Sequence, residues 1–190
     1  MQQTELIKTV GQWLNKAGIN YMLTGAWSVI YHGRIRTSHD LDFVVEMKKA
    51  DGQKLLNLLA KSGKEFLYQD FAISEAVKKQ SMFMVSYLPT LDKIDFWLLK
   101  NDEFDKSRFR RRLKVKAWGQ YVYVTSAEDT ILQKLRWYSM GKREKDIVDA
   151  AFIWQLQKRL DKKYISEWAG KLEVEKYLPE LDRINLEDHY

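Results

Sequence analysis

Leu6, Ile7, Val10, Trp13, Leu14 and Ala17 recur at the three- and four-residue spacing of a single helical face and stop at Gly18, which predicts a first helix. The period then changes. Tyr21-Met22-Leu23-Thr24 is a short apolar run that predicts a buried strand, and it enters Gly25-Ala26-Trp27-Ser28, a tight turn into a short helix through Val29-Ile30-Tyr31 that Gly33 stops. Asp40-Leu41-Asp42-Phe43-Val44-Val45 predicts a second strand, and Lys49 to Lys61, carrying Leu55, Leu56, Leu58 and Leu59, a helix that ends near Gly63. Further strands are expected around Phe66 to Tyr68, Ser81 to Leu88, Leu91 to Leu99, Arg111 to Ala117 and Gln120 to Val124, with a hairpin connection at Trp118-Gly119-Gln120. Together they read as a meander that extends a mixed sheet.

At Thr125-Ser126-Ala127-Glu128-Asp129 a hydroxyl and acids precede an apolar run, the signature of a helix-capping box. Beyond it the chain predicts helices. Ile131, Leu132, Leu135 and Tyr138 make one face, and Ile147, Ala150, Ala151 and Trp154 make another after a break at Gly141. Further helices are expected over Lys162 to Ala169 and Val174 to Ile184, with Pro179 as a kink or boundary. The expected class is α+β: an α/β core over residues 1–124 and a helical portion over 125–190 packed on it.

Composition narrows the classes. At 190 residues the chain is long enough to bury roughly 70% of its unfolded surface in a real core. It has no cysteine, so a disulfide framework and a thiolate metal site are excluded, and a reducing cytoplasm is the expected compartment. No apolar run approaches the roughly 20 residues that cross a bilayer, and Met1-Gln2-Gln3-Thr4-Glu5 lacks the basic start of a signal segment, so no membrane is expected as a partner. The net charge of +6 is concentrated in Lys106 to Lys116, where seven of eleven residues are cationic. That stretch reads either as a solvated sheet edge protected by lysines or, from Arg108 to Lys116, as a phosphate-contacting stripe for RNA or tRNA, with Phe109, Trp118 and Tyr121 free to stack.

The chemistry centres on Asp40 and Asp42. Side chains at i and i+2 of a strand share a face, with about 6.5 to 7 Å between Cα atoms, so two carboxylates converge where a buried strand has no use for them. A divalent cation relieves that repulsion, and two-metal phosphoryl transfer needs such a clamp. Gly25 allows close backbone approach, and the helix start after it offers free N–H groups to phosphate. Asp95, between Ile94 and Phe96, is the candidate third carboxylate; Asp92, next to the turn at Pro89-Thr90, reads as solvated.

Gly25-Ala26, the 13 residues that follow, and Asp40-Leu41-Asp42 resemble the signature of the polymerase β-type nucleotidyltransferases. His32-Gly33 and Arg36-Thr37-Ser38-His39-Asp40-Leu41-Asp42 are similar to the small bacterial branch related to the AbiEii/AbiGii toxins, with Ser38 in a threonine position and Ala26 where relatives carry glycine or serine. The resemblance extends over Thr125 to Leu135 and Arg143 to Asp149. It implies a polymerase β-like fold, a nucleoside triphosphate substrate, and Mg²⁺, with Mn²⁺ as substitute, held by Asp40, Asp42 and Asp95. It further implies nucleotide contacts from Gly25, Ala26, Ser28, Arg36, Ser38, Lys134 and Asp146; for Lys134 and Asp146 the other reading is an internal salt bridge that braces two helices. The expected activity is transfer of a nucleotidyl group to a hydroxyl of RNA, tRNA or protein, as a toxin-antitoxin or phage-defence component with a cognate antitoxin. Two alternatives stand beside it: a nucleotide- or RNA-binding module with weak or lost catalysis, and an aminoglycoside-type small-molecule transferase.

Overall fold

The computed structural model describes residues 2–189. Helix α1 (Gln3–Ala17) buries the six predicted apolar positions and ends at Gly18, whose left-handed backbone (φ 70°) lets its N–H reach the carbonyls of Leu14 and Asn15. Strand β1 (Asn20–Thr24) leads without a loop into α2 (Gly25–His32), and β2 (Asp40–Glu46) follows. Then come α3 (Lys49–Ala60), β3 (Phe66–Leu67), α4 (Asp70–Lys79), β4 (Met82–Tyr87), β5 (Asp92–Leu98), α5 (Glu103–Arg110), β6 (Leu113–Ala117) and β7 (Gln120–Val124). The class is α+β, as the hydrophobic pattern predicts.

Seven strands form one mixed sheet in the order β3-β4-β5-β2-β1-β7-β6. The strands after α3 are therefore two arms and not one meander. The meander β3-β4-β5 joins one side through a parallel β5·β2 ladder, and the hairpin β6-β7 joins the other through a parallel β7·β1 pairing. At the hairpin Trp118 and Gly119 both have positive φ (50° and 75°), the paired left-handed conformation that matches strand twist.

Helices α4 and α5 have no counterpart in the predicted elements. In α4 only Ile73 and Ala76 are buried, too few to show a period. In α5 Phe104 and Phe109 are its buried apolar residues, and the rest of its inner face is Asp105 and Arg108, paired at 2.5 Å. The cationic stripe is thus broken up. Arg108 is buried, and the Arg112 guanidinium stacks over Phe109 and Tyr123 at 4.4 and 5.1 Å.

One sheet face is the core. Tyr21, Phe43, Phe83 and Phe96 are fully or almost fully buried there, with Phe96 stacked on Phe83 at 4.7 Å and on Phe43 at 5.9 Å. On the opposite face Phe109 of α5 packs on Met22 and Val44 together with Leu99 and Tyr123. The rest of that face, carrying Asp42, Asp95 and Trp97, is left partly open.

By compactness the chain divides into two units. One holds the described residues up to Ala26 together with Ser38–Val124, and the other holds Trp27–Thr37 with the chain from Thr125 onward. The second unit contains α6 (Ala127–Gly141), α7 (Glu144–Leu156), α8 (Lys162–Lys171) and α9 (Leu178–Leu181). Ser126 caps α6 by accepting the Asp129 N–H at 3.2 Å. Pro179 sits in the first turn of α9, where proline initiates a helix, after a 3-10 turn at Glu175–Tyr177. Among the described residues no helix is long and apolar enough to cross a membrane.

The stacked phenylalanines carry the sheet's core, so Phe96→Ala is expected to lower unfolding free energy by about 3–5 kcal/mol, read as a fall in the urea midpoint.

Candidate active site

The pairing register sets Asp42 directly beside Asp95 of β5 on one flank and beside Thr24 of β1 on the other. Paired strands lie about 4.8 Å apart, so the Asp42 and Asp95 carboxyls share one rung of the open face. Asp40 lies two residues up the same face, opposite Lys93, at the exposed start of β2. Burial, and then the fields of Asp42 and Asp40, push the pKa of Asp95 up to about 6, while Lys93 pulls it down. One Asp95 carboxyl oxygen is buried without a hydrogen-bond partner.

Asp42 is held from two sides. Its Oδ1 accepts the Trp97 indole N–H at 3.1 Å. Its carboxylate also lies against Gly25, where an added Cβ would sit 2.7 Å from Asp42 Cγ and would overlap the carboxylate oxygen. Gly25 is further required by its backbone, which turns at φ 62° to pass from strand to helix with no loop. The close approach of the helix start to the acids is therefore built on a missing side chain.

The approach to β2 is braced as well. Ser38 Oγ accepts the Asp40 N–H at 3.2 Å and donates to the Asp40 carbonyl at 3.1 Å, while the Gln3 amide donates to the Ser38 carbonyl. The same amide reaches Asp92 at 2.7 Å. Asp92 is not solvated; it is 2% exposed on the core face of β5 and also accepts the Thr90 hydroxyl. Alternation along the strand turns it away from Asp95.

Among the described residues no group of three or more His, Cys, Asp or Glu side chains is gathered closely enough to hold a metal ion by itself. The donors present nevertheless suit Mg²⁺. That ion keeps several waters and takes one or two carboxylates plus substrate phosphates in place of an all-protein cage, and Asp42 with the unpartnered Asp95 oxygen is such a donor pair. Ala26 offers only its backbone to a phosphate, and Ser28 is fully buried.

The second unit contains a buried charge cluster. Lys134 Nζ lies 3.1 Å from Asp146 and 2.8 Å from Asp149, and Asp149 also takes Arg34 at 2.5 Å and Arg36 at 3.1 Å. Arg143 adds a pair to Asp146 at 2.7 Å. These bonds tie α6, α7 and the segment after α2 together, the bracing that the salt-bridge reading of Lys134 and Asp146 describes. Arg34 was not singled out by spacing, whereas Asp149, set with Asp146 around Ile147 and one helical turn after it, was. His32 closes the end of α2: burial pushes its pKa down, and its Nε2–H donates to the Thr125 carbonyl at 2.8 Å. The missed residue in the first unit is Trp97, whose place two positions after Asp95 on an alternating strand was legible.

A family model for aminoglycoside-2''-adenylyltransferase matches residues 6–151. Among solved structures, a nucleotidyltransferase-like protein from Paracoccidioides brasiliensis superposes with TM-score 0.60 at 17% identity, covering 95% of this chain and 90% of that one. ANT(2'')-Ia in complex with adenylyl-2''-tobramycin gives TM-score 0.60 at 13% identity, covering 91% and 98%. The lincosamide antibiotic adenylyltransferase LnuA gives 0.55 at 14%, covering 83% and 99%. No curated protein matches. The nucleotidyltransferase superfamily implied by the glycine turn and the acid pair stands, and these matches do not show the toxin-related branch.

Asp95 ionises at about 6 in the folded chain against 3.8 for an ordinary aspartate. Its favourable contribution is therefore whole below the lower value and is lost as pH rises through the upper one. Asp95→Asn, which mimics the protonated form, is expected to raise the melting temperature in EDTA at about pH 8 and to change it little near pH 4. Asp149→Ala leaves Arg34 uncompensated in the interior and Lys134 with Asp146 alone; urea unfolding is expected to show a loss of about 3–5 kcal/mol.

Proposed function

The chain belongs to the aminoglycoside-2''-adenylyltransferase family, and from that premise we propose that it transfers an adenylyl group from ATP to a hydroxyl of a small ring-bearing acceptor of the aminoglycoside type. The observation that carries this reading is the Asp42–Asp95 rung set against the Gly25 turn. Asp42 and Asp95, with Asp40, are the residues that would hold Mg²⁺ or Mn²⁺. Once bound, such an ion neutralises charge on the α-phosphate and on the departing pyrophosphate.

The chain's own groups do the rest. The backbone at Gly25 and Ala26 receives the triphosphate and orients its α-phosphorus. Asp95, in the middle of the rung, is placed to accept the proton of the acceptor hydroxyl. The acceptor oxygen forms the new bond to the α-phosphorus, the bond to the β-phosphate oxygen breaks, and pyrophosphate leaves in line. Trp97 keeps Asp42 aimed by its N–H bond.

A small acceptor is favoured over RNA by the fate of the basic stripe. Arg108 is spent on Asp105 inside α5, Phe109 is buried, and Arg112 stacks on Phe109 and Tyr123. That takes two of its seven cations, and the other five are divided between α5, the turn after it and β6.

The test is incubation with labelled ATP, Mg²⁺ and tobramycin or lincomycin, with total tRNA in parallel, and product mass as readout. Adenylylated antibiotic is the expected result, with Asp42→Asn lowering kcat/KM at least about a hundredfold at an unchanged circular dichroism spectrum. Label on tRNA alone would reassign the acceptor, and ATP binding without transfer to any hydroxyl would make the protein a binding module.

A further inference from the structure

The open face beside the acids carries more exposed apolar surface than a solvated sheet needs. Met84 of β4 stands directly opposite Asp95 on the flank away from Asp42 and is 43% exposed. Trp97, two residues beyond Asp95 on the same face of β5, is 41% exposed although its indole N–H is engaged by Asp42. Leu67, on the edge strand β3 opposite Ser86, is 59% exposed. Met84 and Leu67 lie on the flank of Asp95 away from Asp42, and Trp97 stands one step along β5 with its indole alongside both acids.

The other side is occupied. Reading across the rung, the order is Met84, Asp95, Asp42, Thr24, and the turn at Gly25 touches the Asp42 carboxylate from the Thr24 end. If phosphate is received at Gly25, the nucleophile must come from the opposite end of this line, because in-line displacement sets the attacking and leaving oxygens on opposite sides of phosphorus. The surface waiting there is Met84, with the indole of Trp97 running alongside the acids from the adjoining rung.

We propose that Trp97 and Met84 form the acceptor shelf of this enzyme, on which the C–H face of a cyclic, hydroxyl-bearing acceptor lies while its hydroxyl reaches Asp95. This inference rests on the transfer reading above and adds the residues that select the acceptor. An indole face carries negative potential and attracts polarised C–H groups and cationic edges, and the thioether of Met84 fills irregular contact beside it. With Asp95 and Asp42 adjoining, the shelf favours neutral or cationic rings and disfavours anions. Trp97 has a second role as a positioning residue, since the same ring that meets the acceptor orients Asp42.

The two roles separate by substitution. Trp97→Phe keeps an aromatic face and loses the N–H; Trp97→Ala loses both; Met84→Ala trims the shelf alone. With tobramycin and lincomycin as probe acceptors, Trp97→Phe is expected to lower kcat with acceptor KM within about threefold of wild type. Trp97→Ala is expected to raise acceptor KM about tenfold or more, and Met84→Ala about threefold, each with the KM for ATP unchanged. Tyr121→Ala, which removes another exposed aromatic outside the site, is the control and should alter neither. Calorimetric titration of each probe into protein loaded with Mn²⁺ and a non-transferable ATP analogue reads the shelf without turnover, and the Trp97→Ala loss should appear there too. Unchanged acceptor affinity in Trp97→Ala, or an equal loss for ATP, overturns the shelf while leaving the transferase reading standing. Failure of the wild type to bind either probe while it takes up ATP and Mn²⁺ likewise overturns the shelf alone. Failure to take up ATP or Mn²⁺ overturns both.

Discussion

Two carboxylates side by side on adjacent strands are the constraint around which the first unit is arranged. Asp42 and Asp95 share a rung, and burial, helped by the charge of Asp42, holds Asp95 at a pKa of about 6. A sheet selected only for stability would replace one of them. Keeping both leaves a site that a proton or a divalent cation relieves, and the glycine at 25 brings the helix start up against it. Charge, missing side chain and open face are thus parts of one arrangement, and each loses its purpose without the others.

The second unit meets a similar load of buried charge in the opposite way. Asp146 and Asp149, almost wholly buried on α7, are matched by Lys134, Arg34, Arg36 and Arg143. Two carboxylates meet four cations there, and the bonds join segments distant in sequence and brace this unit. The contrast is informative. Where acids meet lysine and arginine they brace helices, and where they stand side by side next to a glycine turn they are available for chemistry.

Much of the fold was legible because apolar period survives translation into structure. Helix α1, the strand–turn–helix at Gly25, β2, the Trp118-Gly119 hairpin and the capped start of α6 follow from spacing, capping residues and glycine alone. Helices α4 and α5 did not, since α5 buries an Asp105–Arg108 pair in positions where a hydrophobic period would be sought. The same pair took Arg108 out of the cationic stripe. A run of like charges in sequence carries no record of which members will fold inward onto a partner three residues away or onto an aromatic ring.

By itself the sequence determined the chemical kind of this protein: a glycine before a helix, two acids at alternate strand positions and a third within a later strand are local facts, fixed by side-chain alternation and backbone freedom. Only the tertiary structure decided which acids meet. Asp95 rather than Asp92 joins Asp42 because a parallel ladder between β5 and β2 sets their register and strand alternation sends Asp92 to the core. The same ladder carried Trp97 onto the face of Asp42, and chain folding over more than a hundred residues brought Arg34 to Asp149. Pairings of that kind depend on register and packing between remote segments, which no short-range pattern encodes.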